Sequence, residues 1–163
     1  MIGASACLIG ENCTYSGSNN LAKGLKTLYD KGKIVCVCPE VMGGLPTPRS
    51  PAEIQSQDPL LIMNQDQEDV TSAYVLGAQK ALTVFLENDV RVAVLKFRSP
   101  SCGHDGVYDG TFSHTLVAGQ GVFAKMCEDH GIQVFDELHL DEFLKYIGKE
   151  DEYGTYFKDS TSI

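Results

Sequence analysis

The sequence predicts a three-layer, Rossmann-like α/β fold with a small, mainly parallel sheet flanked by helices. Three observations predict it. Short apolar runs rich in small and β-branched residues alternate along the chain with segments of helical periodicity. Those runs are apolar throughout rather than alternating, as in strands covered on both faces. The length of 163 residues suits one domain, burying roughly 70% of its unfolded surface without staples.

Met1 to Ile9 is small and apolar, ends at Gly10, and reads as a first buried strand. After the polar loop GENCTYSGSN, Leu21, Leu25, Leu28 and Tyr29 recur at helical spacing as far as Gly32. Lys33 to Cys38 is a compact strand stopped by Pro39. Residues 39–59 hold five of the six prolines together with Gly43 and Gly44, and read as a long ordered loop. Gln65 to Glu87 carries a helical apolar face that includes Val70, Tyr74, Ala78, Leu82 and Phe85, with Asp66 or Asp69 placed to cap its start. Arg91 to Phe97 is a third strand, followed by a second long loop from Ser99 to Gln120. A short helix over 121–130, a strand over 132–135 and a helix over 140–147 complete the alternation. Residues 1–148 are read as a single α/β domain and 149–163 as an acidic C-terminal tail.

The formal charge is −9, from 22 acids against 13 bases. Such a surface repels phosphate backbones, so nucleic-acid binding is not expected. Eight of the acids fall in residues 136–163, so the acidity says little about a site elsewhere. No apolar run approaches the ~20 residues of a membrane helix, and the first residues lack a basic start followed by a cleavable apolar stretch. A cytoplasmic protein without a membrane partner is therefore expected. The composition leaves the oligomeric state open.

The six cysteines are the unusual feature: Cys7, Cys13, Cys36, Cys38, Cys102 and Cys127. In a reducing compartment cysteines are buried, catalytic or metal-binding rather than bridged. An open parallel sheet binds ligands beyond the carboxyl ends of its strands. Cys7 lies near the end of strand one, Cys38 at the end of strand two and Cys102 just past strand three, so three thiols from separate segments should meet at that edge. Three thiolates without a fourth partner describe a metal centre with an open position, either zinc or an iron–sulfur cluster. Cys13 is a spare ligand for Cys7, while Cys36 on a strand and Cys127 on a helix suit inert packing. Glu40, two residues after Cys38, is placed for acid–base work, and Ser99 and Ser101 offer two hydroxyls in a constrained turn. Lys96 and Arg98 are candidates to hold an anionic or carbonyl-bearing ligand. Asp109-Gly110-Thr111 reads as a turn near it, and His104 is a weaker candidate beside Cys102. No nucleophile elbow, Walker loop or GxGxxG is present, and no CxxC pair supports a thiol redox protein.

The segments SACLIG, CPEVMGGLPTPR, RSPSCG and YDGTF together resemble the thiouracil desulfidase-like family, over about residues 3–137. The resemblance implies a [4Fe–4S] cluster held by Cys7, Cys38 and Cys102 with one iron open. It implies non-redox desulfuration of a small thiolated nucleobase, such as 2-thiouracil, to the oxo base plus sulfide. Glu40 would deprotonate the attacking water, and a serine of the SPSC turn, Ser99 ahead of Ser101, would bond the developing charge. A metal-holding binding or sensing module without turnover is the alternative. The loop Asn12-Cys13-Thr14-Tyr15-Ser16-Gly17 departs from the family's NCRYDG-like pattern, losing two charges, and Phe97 replaces a small polar residue. Both departures bear on substrate rather than on the cluster.

Overall fold

The computed structural model describes residues 1–149. In chain order these form β1 (Ile2–Ser5), α1 (Lys23–Asp30), β2 (Ile34–Val37), α2 (Pro39–Met42), β3 (Ala52–Gln57), β4 (Leu60–Asn64), α3 (Thr71–Glu87), β5 (Val92–Leu95), β6 (Val107–Tyr108), β7 (Leu116–Val117), α4 (Val122–Asp129), β8 (Gln133–Asp136) and α5 (Leu140–Lys149). Single turns of 3₁₀ helix follow β1, at Ala6–Ile9, and β8, at Glu137–His139. The acidic segment set apart by the sequence lies outside the described residues except for Lys149.

The main sheet has the order β2-β1-β5-β8 with every pair parallel. All four residues of β1 and of β5 are buried, whereas β2 and β8 at the edges each keep two partly or fully exposed positions. Strand periodicity splits the apolar residues into two cores. Ile2, Ala4, Ile34, Val92 and Val94 pack with Leu25 and Leu28 of α1 and with Phe143 and Ile147 of α5. Val37, Ala93, Leu95 and Val134 face the other way, onto Tyr74, Ala78 and Phe85 of α3 and Phe123 of α4. Helices thus cover both faces, the three-layer arrangement that uninterrupted apolar strands require. Among the described residues no helix is long and apolar enough to cross a membrane.

Three expectations need correction. The proline-rich loop ends near Pro51, because residues 52–64 form the antiparallel hairpin β3–β4. Its alternating polar side chains (Glu53, Gln55, Gln57) kept it from reading as a strand. Helix α3 begins at Thr71 rather than Gln65. Residues 65–69 turn back on the hairpin, with the Asn64 amide donating to the Glu68 carbonyl, and the Asp69 carboxylate accepts the Thr71 amide at 2.9 Å. Asp69 therefore marks the helix start and Asp66 does not. The loop after β5 contains the small ribbon β6–β7, whose pairs are only two residues long.

One contact positions the short helix α2. A Cβ at Gly77 would overlap the carbonyl oxygen of Pro39, and one at Gly43 would overlap that of Ala73. Two glycines let the backbones of α2 and α3 touch. Replacement Gly77→Ala should destabilise the protein by about 1–3 kcal/mol through overpacking. Denaturant unfolding reads this, and an unchanged midpoint would show that α2 has room to spare. At the opposite sheet edge the fully buried Asp136 accepts from the Leu138 amide at 2.9 Å and lies 2.7 Å from His139 Nδ1. That hydrogen bond raises the His139 pKa above its ordinary 6.5. A raised folded value stabilises fully below about pH 6.5 and fades as pH rises through it. The melting temperature of wild type should therefore exceed that of His139→Gln at pH 5.5 and approach it by pH 9. A constant gap would refute the coupling.

Candidate active site

Three chain segments leave the carboxyl ends of β1, β2 and β5 on one side of the sheet and enclose a cavity of about 650 Å³. Because β2 and β5 flank β1 on opposite sides, this edge is where chain direction diverges and a crevice opens. Cys7 lines it from the 3₁₀ turn after β1, Cys38 from the residue joining β2 to α2, and Cys102 from the turn after β5. Cys13, on the loop before α1, lines it too. The expected convergence of thiols is thus what the fold produces, with Cys13 as a fourth member.

Cys7 and Cys102 are 8% and 4% exposed, so they form the floor. Burial pushes the Cys7 thiol up to about 11, against a hydrogen bond from Asn20. Burial likewise pushes Cys102 up to about 12, against hydrogen bonds with Ser5 and Ser101. Cys38 goes the other way, down to about 7. The Cys13 thiol donates to it and the Val41 amide at the start of α2 adds a second donor, together outweighing burial. Serving as that donor holds Cys13 protonated, well above an ordinary thiol. All six cysteines are free. Cys127 is fully buried in the core, as expected. Cys36 is only half-buried, because β2 is an edge strand, and its Sγ lies 3.7 Å from Glu11 Oε1, away from the cavity.

Glu40 gathers donors from three separate segments of the cavity wall. Pro39 opens α2 and sets Glu40 in its first turn. Glu40 Oε1 accepts the Tyr74 hydroxyl at 2.6 Å and Arg49 Nε at 3.2 Å, and Oε2 accepts the Ser101 hydroxyl at 3.0 Å. Beside Ser101 stands Ser99, with the two Oγ atoms 2.9 Å apart. Ser99 Oγ also accepts the amides of Ser101 and Cys102, each at 3.1 Å, so it builds the turn while Ser101 meets the carboxylate. Arg49 is almost wholly buried, its side chain 5% exposed. Its Nη2 donates to the Cys13 carbonyl at 2.8 Å and its Nη1 reaches the Pro46 carbonyl at 3.2 Å. Tyr74 is 2% exposed, and burial beside the Glu40 carboxylate raises its pKa, so it stays a donor.

Of the other candidates, Lys96 lines the cavity, but its Nζ is 2.6 Å from Glu137 Oε1 and 3.1 Å from the Phe97 carbonyl. Glu137 answers its charge, so it is not a free anion-holding group. Arg98 stacks over the rings of Phe97 and Tyr108. Asp109 closes its own turn by accepting from the amide and hydroxyl of Thr111, which lowers its pKa. His104 pairs with Glu128 at 2.9 Å and does not line the cavity. Two functional residues carry no signal of their own in the sequence. Arg49 reads as the end of a loop motif and Tyr74 as part of an apolar helix face. Only the pairing of a hydroxyl with that face hinted at a buried partner.

The donors that could hold an electron-poor group are four thiols, a soft set with no imidazole among the lining ligands except His114. Among the described residues no three of His, Cys, Asp and Glu are grouped as they would be around one metal ion. Thiols spread around a cavity suit a group wider than one ion.

Three comparisons bear on the chain. A 40% identical uncharacterized protein of Bacillus subtilis (strain 168), YbbK, aligns over 151 residues, covering 88% of this chain and 100% of that protein. A solved structure, the [4Fe-4S]-dependent thiouracil desulfidase TudS (DUF523Vcz), superposes with a TM-score of 0.81 at 40% identity, over 86% of this chain and 93% of the other. The profile of the 2-thiouracil desulfurase family matches residues 2–139, a span that takes in all four strands of the main sheet and every cavity residue named above. On sequence and on fold alike, the chain belongs to the 2-thiouracil desulfurase family.

Proposed function

We propose that this protein is an enzyme that removes sulfur from a small thiolated nucleobase of the 2-thiouracil type, releasing the oxo base and sulfide, and that it carries a [4Fe–4S] cluster. The observation that carries the reading is the meeting of Cys7, Cys38 and Cys102 with the Glu40–Ser101 pair in one cavity. The family is named for this chemistry and the matching solved structure for both the chemistry and the cluster, which favours turnover over a metal-holding module. Cys7, Cys38 and Cys102 would hold the cluster, with Cys13 bonded to Cys38 rather than serving as a ligand. The bound cluster supplies a soft, open coordination position that polarises a thiocarbonyl sulfur. Ligation requires thiolates, so the protons that burial keeps on Cys7 and Cys102 leave as the site is filled.

The chain's own residues divide the remaining work. Tyr74 and Arg49 occupy both acceptor directions of Glu40 Oε1. Oε2 has one position left beside Ser101, and that atom takes the proton from the water that adds to the thiocarbonyl carbon. Ser101 Oγ turns from Oε2 toward the charge that develops on the substrate, with Ser99 backing it. Carbon exchanges its bond to sulfur for one to oxygen with no net redox change, making the enzyme a hydrolase. Its free thiols accord with a cytoplasmic location.

Purified and reconstituted without oxygen, the protein should be brown, with about four irons per chain, and should release sulfide from 2-thiouracil. Colourless protein after reconstitution would sink the reading. Cys102→Ser should lose the colour, and Cys36→Ser should keep it. Glu40→Gln should lower kcat by about 10²–10⁴ at full iron content. Tyr74→Phe should lower it by about tenfold, the loss of one buried hydrogen bond. Ser101→Ala should cost more than Ser99→Ala, and the reverse order would reassign the two hydroxyls.

A further inference from the structure

The mouth of the cavity is built differently from its floor. The floor is thiols and hydroxyls, but the outer lining includes, beside Tyr15, Ser16 and Ser18 of the loop before α1, the cluster Phe97, Arg98, Tyr108, Phe112 and His114. The Arg98 guanidinium lies 5.6 Å from the centre of the Phe97 ring and 5.9 Å from that of Tyr108. His114 meets the Tyr108 ring edge-on at 5.5 Å. Each of these side chains offers a flat, π-bearing or guanidinium face, the surface on which a planar ring stacks.

Their backbones tell the same story. Among the described residues five non-glycine positions have positive φ, and Arg98 (68°), Phe112 (58°) and His114 (60°) are three of them. Large side chains rarely adopt that conformation, and where they do the surroundings impose it, typically at a ligand site. At Phe112 the imposing group is visible. Glu53 is 7% exposed, and its Oε1 accepts the amides of both Gly110 and Phe112, at 3.0 and 3.2 Å. A carboxylate buried under the turn to hold two amides is an expensive device for a mere surface loop. Nothing in the floor chemistry needs it.

We infer that this mouth is a stacking platform for a planar heteroaromatic ring, with Phe112 and His114 as specificity-determining residues and Glu53 as the residue that positions Phe112. The inference rests on the desulfuration reading for its substrate class, and it adds a selection that the thiol floor does not make. A soft metal site would accept any thiocarbonyl, flat or puckered, aromatic or aliphatic. The platform restricts the site to flat rings.

The test separates a flat ring from a puckered one bearing the same polar edge. Metal-free protein is titrated calorimetrically with uracil and with 5,6-dihydrouracil. Uracil should bind more tightly, and Phe112→Leu should weaken it by about tenfold or more while leaving dihydrouracil unchanged. Phe112→Tyr should restore the preference, and His114→Asn, which tolerates the same φ, should reduce it. Glu53→Ala should behave as Phe112→Leu does, with rescue by Glu53→Gln, which keeps the accepting oxygen. In cluster-loaded enzyme the same variants should raise KM for 2-thiouracil but not for its 5,6-dihydro analogue, at constant kcat. Equal affinity of wild type for the two rings, or no binding of either, overturns the platform. Equal losses for both rings in Phe112→Leu overturn it as well. Sulfide release without ring discrimination leaves the desulfidase reading intact and removes only this inference. Ring discrimination without sulfide release does the opposite.

Discussion

The arrangement at Glu40 is the constraint on which the site depends. A partly buried carboxylate and a nearly buried guanidinium are costly to desolvate, and the cost is recovered only when both are fully bonded. Glu40 meets that condition with three donors, and Arg49 meets it with the carboxylate and two backbone carbonyls. Because those carbonyls belong to Cys13 and Pro46, one side chain ties the loop after β1 to the segment after β2. Tyr74 ties both to α3, and Ser101 ties them to the turn after β5. Four segments distant in sequence are thereby held around one carboxylate, with the thiols beside it.

The thiols themselves are arranged at a cost. Burial at a sheet edge keeps Cys7 and Cys102 protonated, against hydrogen bonds with Asn20, Ser5 and Ser101. A floor of that kind is organised for a group that displaces protons and is itself screened from water. The Cys13–Cys38 hydrogen bond lowers the Cys38 thiol pKa, whereas burial raises those of Cys7 and Cys102. Above this floor the mouth is aromatic. The contrast between a soft bottom of thiols and flat ring and guanidinium faces above it is what fits the cavity to a ring that carries sulfur.

Close backbone contact supplies the precision. Gly43 and Gly77 allow α2 to touch α3, and Gly3 leaves room for the Phe85 ring over β1. Their value lies in what stays absent, a Cβ, and it fixes where Glu40 begins.

The parallel sheet, the two covering layers and the meeting of Cys7, Cys38 and Cys102 were legible in the sequence. Apolar periodicity is local, and strand ends in such a fold point to one edge whatever the details. Glu40 and the two serines were legible as residue types beside thiols, though not the order of the serines. The hairpin at 52–64 was not, because a half-polar hairpin beside prolines has the composition of a loop. Tyr74 and Arg49 were not, because their roles lie in partners 34 and 9 residues away from Glu40. The aromatic mouth was not either, since Glu53 acts on amides 57 and 59 residues further on. The sequence by itself determined which segments form the parallel sheet, which helices cover it and which thiols share an edge, all properties of local pattern and chain direction. The tertiary structure alone decided which hydroxyl meets the carboxylate, which other donors bond it and what face the substrate sees, because those depend on contacts between segments that no local pattern encodes.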